Sequence, residues 1–167
     1  MNRYIGTKMI KAMPMTRLAY NQMRGWTVPA DENPNDAGYL VEYLDGGKPN
    51  VPGIEGYVSW SPAEQFDNAY RPCNAMTFGL AIEALKLGKR VARAGWNGKG
   101  MWLALTLSIH DIPRAGTTQP VYRLTIDDDG AGATALPWIG MKTADNKFVP
   151  WLANQTDMLA EDWQIVE

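Results

Sequence analysis

Apolar and polar positions fall into separable blocks along this chain, and each block predicts an element. Residues 4–13 (Tyr-Ile-Gly-Thr-Lys-Met-Ile-Lys-Ala-Met) alternate imperfectly and predict a strand that Pro14 ends. Thr16 is placed to cap a helix through about Arg24, with Gly25 as its left-handed stop. Residues 27–38 are polar and rich in turn formers, Tyr39–Leu44 alternates as a strand, Asp45–Gly56 reads as a long loop and Tyr57–Trp60 as a short strand. Ser61-Pro62-Ala63-Glu64 has the pattern of a capping box, which predicts a helix to about Tyr70 with Phe66, Ala69 and Tyr70 on its inner face. Pro72-Cys73-Asn74 breaks the pattern. A domain boundary is drawn there, between a small N-terminal α+β module over 1–74 and a second domain over 75–167.

The second domain opens on a strong helix. Thr77 is the cap, Phe78, Ala81, Ile82 and Leu85 recur at helical spacing, and Gly88 is the stop. A strand to about Ala94 and another over Met101–Ile109 are joined by a corner holding Gly95, Gly98 and Gly100. Val121–Ile126 alternates as a strand, and Asp127–Gly132 is a turn. Leu136–Trp151 contains two extended pieces around a turn at Ala144–Asn146. Thr156 is placed to cap one turn over Asp157–Glu161, and Asp162–Val166 is a last strand. The fold class is therefore α+β, mainly antiparallel β-sheet with a few short helices. A faint internal echo, with Tyr57-Val58-Ser59-Trp60 resembling Phe148-Val149-Pro150-Trp151, raises an ancient duplication as one origin of the two halves.

Charge narrows the function classes. The net charge is −2, and it is even along the chain, which argues against a protein built to coat a nucleic-acid backbone. A single cysteine, Cys73, excludes an internal disulfide and any multi-cysteine zinc site. No 18-residue apolar run and no signal-peptide core are present, so a cytoplasmic protein without a membrane partner is expected. Asp127-Asp128-Asp129-Gly130 fails as a calcium loop, because Trp138 stands where the closing Glu is required. His110 with Asp111 has no nucleophile motif beside it, and no phosphate-binding or dinucleotide fingerprint occurs. No metal, cofactor or catalytic residue is assigned, and an enzyme is not expected.

Two stretches suit a ligand instead. Four cations lie in the eleven residues Lys89–Lys99, beside a glycine corner able to turn N–H groups toward an anion, and Trp96 and Trp102 add flat faces. Between Trp138 and Met158, the residues Lys142, Thr143, Asp145, Asn154, Gln155, Thr156 and Asp157 offer hydroxyls, amides and carboxylates for ribose and base edges. The same residues suit a hairpin with packed indoles, turns and caps, so residue types leave both readings open. Five of the seven tryptophans fall after residue 95, a bias that fits a binding surface or a subunit interface.

Thr77-Phe78-Gly79, Ala84-Leu85, Gly88-Lys89, Val91-Ala92-Arg93 and Gly95-Trp96-Asn97-Gly98-Lys99-Gly100-Met101 resemble the start of the second family of Thoeris anti-defence proteins, encoded by phages. So do Leu136–Asp145, Phe148–Trp151 and Asn154–Trp163, in the same order, and the resemblance covers about residues 75–167. It implies a sponge that sequesters cyclic ADP-ribose-type signals, and in some members cyclic dinucleotides, without cleaving them. It also implies a homo-oligomer, typically a tetramer, with pockets between subunits in the infected bacterial host. Carried over by position, the binding residues would be Trp96 and Asn97, Arg93 or Lys99 for phosphate, and Thr143, Asp145, Thr156 and Asp157 for ribose and base. The alternatives are a hydrolase of the same signal, or a structural or host-interaction protein. Residues 1–74 lie outside the resemblance to the shortest members, and look like a segment at the front of other phage proteins.

Overall fold

The structure, a computed structural model, describes residues 1–96, 99–106 and 136–166. The chain divides into two compact units, Met1–Arg71 and Pro72–Glu167. The predicted strand Val121–Ile126, the Asp127–Gly132 turn and His110 lie outside the described residues.

The first unit is a three-stranded antiparallel sheet in the order β1-β2-β3, made of β1 (Ile10–Pro14), β2 (Gly38–Tyr43) and β3 (Tyr57–Pro62). The predicted first strand is shorter than expected and later in the chain. Residues 4–8 are exposed, residues 4–9 pair with no strand among the described residues, and Pro14 is β1's last residue, opposite Tyr39. A proline is tolerated there because β1 is an edge strand, with no strand on its outer side among the described residues. Helix α1 (Arg17–Arg24) forms as its caps predict. Thr16 accepts a hydrogen bond from the Ala19 N–H at 3.2 Å, and Gly25 takes the left-handed stop at φ 68°. It covers one face of the sheet, where Tyr20, Leu40, Val51 and Val58 form a core.

The capping box does not form. Strand β3 runs on through Ser61 and Pro62, paired with Tyr39 and Gly38, so Ser61 is already spent as a strand residue. Helix α2 (Ala63–Ala69) therefore starts at Pro62 with no side-chain cap. Phe66 faces the sheet and stacks on Tyr39 at 4.0 Å, whereas Ala69, expected inside, is exposed.

Among the described residues, the second unit forms a five-stranded antiparallel sheet in the order β7-β6-β5-β4-β8. Its strands are β4 (Arg90–Arg93), β5 (Trp102–Thr106), β6 (Trp138–Lys142), β7 (Phe148–Pro150) and β8 (Trp163–Val166). The return of β8 to pair with β4 has no counterpart in the first sheet, so the sequence echo does not extend to the whole topology. Helix α3 (Phe78–Lys86) is capped by Thr77, which accepts from the Leu80 N–H, and is followed by Gly88 at φ 74°. Its face of Ala81, Ala84 and Leu85 packs with Val91, Leu103, Met76 and Trp163. Trp163 is fully buried, and its transfer from water stabilises the unit by about 4–6 kcal/mol.

Residues 73–76 cover the outer edge of β8. Ile165 donates to the Cys73 carbonyl, and Met76 and Trp163 exchange backbone hydrogen bonds of 2.7 and 3.1 Å. The short helix α4 (Gln155–Met158) precedes β8, and its cap is Asn154 rather than Thr156. The Asn154 side chain accepts from the Asp157 N–H at 2.8 Å, two residues earlier than the Thr156 hydroxyl was expected to act.

The tryptophan excess is in large part packing. Trp96 and Trp151 lie edge-on to Trp163 at 5.6 and 6.0 Å, with Phe78 closing the cluster. Trp102 and Trp138 flank Phe148, and Gly140 is the residue that lets the Phe148 ring lie on the sheet, since a Cβ there would run into it.

Candidate functional site

Antiparallel pairing sets the site. β4 and β6 finish at the same end of the sheet at which β5, β7 and β8 begin. The β4–β5 corner, the β6–β7 turn and α4 all sit at that end. Of the sequence-predicted residues, Arg93, Trp96, Lys99, Thr143, Asp145, Thr156 and Asp157 share it, and Asn97 lies outside the described residues.

They form two clusters. In the first, Arg93 at the end of β4 donates from Nε to Asp162 at 2.7 Å and from Nη1 to Asp157 at 3.0 Å, with a longer contact to the Thr156 carbonyl. Asp157 is buried, and its own carbonyl accepts the indole N–H of Trp163 at 3.0 Å. Asp162 also accepts from the Gly95 N–H at 3.2 Å. The amide of the glycine corner thus meets an anion supplied by the chain itself, and Asp162 is the member that the sequence reading missed. Its position opposite the corner follows from the β4–β8 register, which pairs Arg93 with Trp163. Asp162 and Asp157 hold the Arg93 guanidinium above its ordinary range, and Arg93 in turn lowers the Asp162 carboxyl. Trp96 lies in the corner, half-buried against the indole cluster.

The second cluster closes the β6–β7 turn. The Thr143 hydroxyl donates toward Asp145 at 2.5 Å and accepts the Lys147 N–H at 3.0 Å, and Asn146 takes the left-handed turn position at φ 63°. Lys147, 2.7 Å from Asp145, and the Thr143 hydroxyl push the Asp145 carboxyl down to about 2. Lys142 joins this turn to the corner. Its ammonium donates to the Gly100 carbonyl at 3.1 Å and to the Thr143 carbonyl at 3.4 Å. Lys99, next to Gly100, is exposed. Thr156 is also exposed, on α4.

The arrangement is a sheet end braced by a buried-acid ion network on one side and a hydrogen-bonded turn on the other, with Lys99 and Lys142 between. It defines a small α+β domain that presents cations and hydroxyls from loops on a rigid sheet. Residues 76–166 match the model of the Thoeris anti-defense 2-like domain, and the chain belongs to that family, which carries a phage anti-defence role. It is 45% identical over 91 residues to the protein named Thoeris anti-defense 2 of Bacillus phage SP01, a match covering 54% of this chain and 94% of that protein. Among the described residues, no helix is long and apolar enough to cross a membrane.

Proposed function

We propose that the second unit is a sponge: it binds a cyclic ADP-ribose-type or cyclic dinucleotide signal in the infected host and holds it without cleavage. The observation that supports this most directly is the gathering of cations, hydroxyls and an indole at one sheet end within the family-matched residues. Lys99 and Lys142 would meet the phosphates, Thr143, Asp145 and Thr156 the ribose and base edges, and Trp96 a base face. Arg93 and Asp157 would act by bracing α4 against the corner. A homo-oligomer, typically a tetramer, would complete the pockets.

A sponge works by affinity, which favours a site ordered before the ligand arrives, since ordering costs subtract from binding. Base stacking contributes about 1–3 kcal/mol, and each charge-assisted hydrogen bond to phosphate about 1.5–3 kcal/mol. The test is calorimetric titration with a cyclic ADP-ribose isomer and a panel of cyclic dinucleotides, followed by heat release and mass identification of the ligand. Tight binding with intact ligand returned is expected. Ligand returned cleaved would replace the sponge with a hydrolase, and no heat with any of them would favour a structural or host-interaction role. Lys99→Ala is expected to weaken binding at least fivefold with an unchanged melting temperature, because Lys99 is exposed and its loss removes one phosphate contact.

A further inference from the structure

The first unit holds an open cavity of about 500 Å³, inside the range of small-molecule sites. Its walls are Tyr43, Tyr57 and Tyr70, and Lys8 and Asp45 lie in it. Strand pairing explains the assembly. The register places Ile10 opposite Tyr43 and Tyr43 opposite Tyr57. Beyond the last paired residues, Asp45, two residues past the end of β2, and Lys8, two residues before the start of β1, meet as an ion pair. Tyr70 arrives from the end of α2.

Within it one ammonium sits between a carboxylate and an aromatic ring. The Lys8 ammonium lies 2.7 Å from the Asp45 carboxylate and 5.2 Å from the centre of the Tyr43 ring. Tyr43 and Tyr57 are 6.2 Å apart, and the Ser59 hydroxyl, donating to the Tyr43 oxygen at 3.2 Å, fixes the first ring. Gly46 and Gly47 take φ values of 115° and 102°, and a Cβ at Gly47 would press on Tyr57 at 3.0 Å, so glycine keeps this wall closed. Asp45 raises the Lys8 ammonium above its usual value, and burial raises the Tyr70 hydroxyl.

An aromatic face beside a single carboxylate recognises an ammonium group. Here the ammonium comes from residues 1–9, which carry no helix or strand. We infer that this cavity is a primary-ammonium site that Lys8 fills in cis, and that an alkylammonium group from a small polyamine or a lysine side chain takes it when Lys8 leaves. Exchange of one ammonium for another keeps Asp45 neutralised. A primary ammonium also keeps the hydrogen bond to Asp45, which a quaternary one cannot make. The tethered Lys8 competes at an effective concentration of order millimolar, which masks the site in the free protein. The inference is independent of the ligand proposed for the second unit.

The test titrates n-butylammonium into the full-length wild type, Lys8→Ala and Lys8→Ala/Asp45→Asn, followed by tyrosine resonances, with circular dichroism confirming the fold of each. Lys8 is exposed, so its replacement leaves the core intact. Lys8→Ala is expected to bind saturably and at least tenfold more tightly than wild type, and the double variant is expected to lose that binding. Absence of saturable binding to Lys8→Ala, affinity no higher than wild type, persistence in the double variant, or equal binding of neutral 1-butanol would each overturn the inference. Putrescine and Nα-acetyl-lysine methylamide, titrated into Lys8→Ala, then separate the two sources: the tighter binder names the occupant.

Discussion

Arg93 is the residue on which the candidate site turns, because one guanidinium serves two carboxylates and a carbonyl. Its side chain is 18% exposed and that of Asp157 10%, so removal of Arg93 strands an acid with little water to replace it. Arg93→Ala is expected to destabilise the second unit by about 1–3 kcal/mol, read as a shift in the urea midpoint. Arg93→Lys should recover only part, since an ammonium lacks the planar fork that spans both acids. The sign with pH follows from Asp162, whose carboxyl Arg93 lowers. Its contribution is fully present above the ordinary carboxylate pKa of about 4 and is lost as pH falls through the lowered folded value. Thermal midpoints measured from about pH 5 to pH 2 should therefore fall more steeply for wild type than for Arg93→Ala. Equal slopes would remove the ion network from the acid response. Arg93 and Asp157 stand out in the sequence as separate polar residues. Their bond spans 64 positions and exists only through the β4–β8 register, which no local pattern encodes.

At the scale of elements, local chemistry was legible where one residue answers one backbone group. Thr16 with Gly25 and Thr77 with Gly88 read correctly because a cap needs only its own turn. Ser61 misled because the same local pattern was overridden by pairing with Tyr39, which extends β3 two residues past Trp60. Asn154 displaced Thr156 for a subtler reason: both are competent caps two residues apart, and the docking of Asp157 onto Arg93 sets where α4 begins. The contrast is measurable. Thr77→Ala removes a hydroxyl that accepts from Leu80 and should cost about 1 kcal/mol, whereas Ser61→Ala removes one that among the described residues reaches the neighbouring Pro62 carbonyl alone and should stay within about 0.5 kcal/mol of wild type. A loss at Ser61 equal to that at Thr77 would restore the capping box. The five described strands of the second unit's sheet were each legible in the sequence. Its order was not, because the indoles that predicted a binding surface are equally the residues that fill the core around Trp163.

For the whole molecule, the decisive fact is that each unit owns a core. Among the described residues, Tyr20, Leu40, Val51 and Val58 serve the first, and Leu85, Val91, Leu103 and Trp163 serve the second. The Bacillus phage SP01 relative aligns over 94% of its length to 91 residues of this chain, so a protein of about the second unit's size stands alone elsewhere. Residues 72–167 expressed by themselves are therefore expected to fold, with a cooperative melting transition. They should also bind the cyclic nucleotide identified for the full chain within about threefold of its affinity. Scanning calorimetry gives the first quantity and titration calorimetry the second, on fragment and full chain alike. A folded fragment that binds more than tenfold worse would assign residues 1–71 a part in holding the ligand. A fragment that fails to melt cooperatively would show that the second core depends on the first. Retained affinity would instead leave the first unit a role of its own, and the tyrosine-lined cavity that holds the Lys8–Asp45 pair is the place in it with the chemistry to have one.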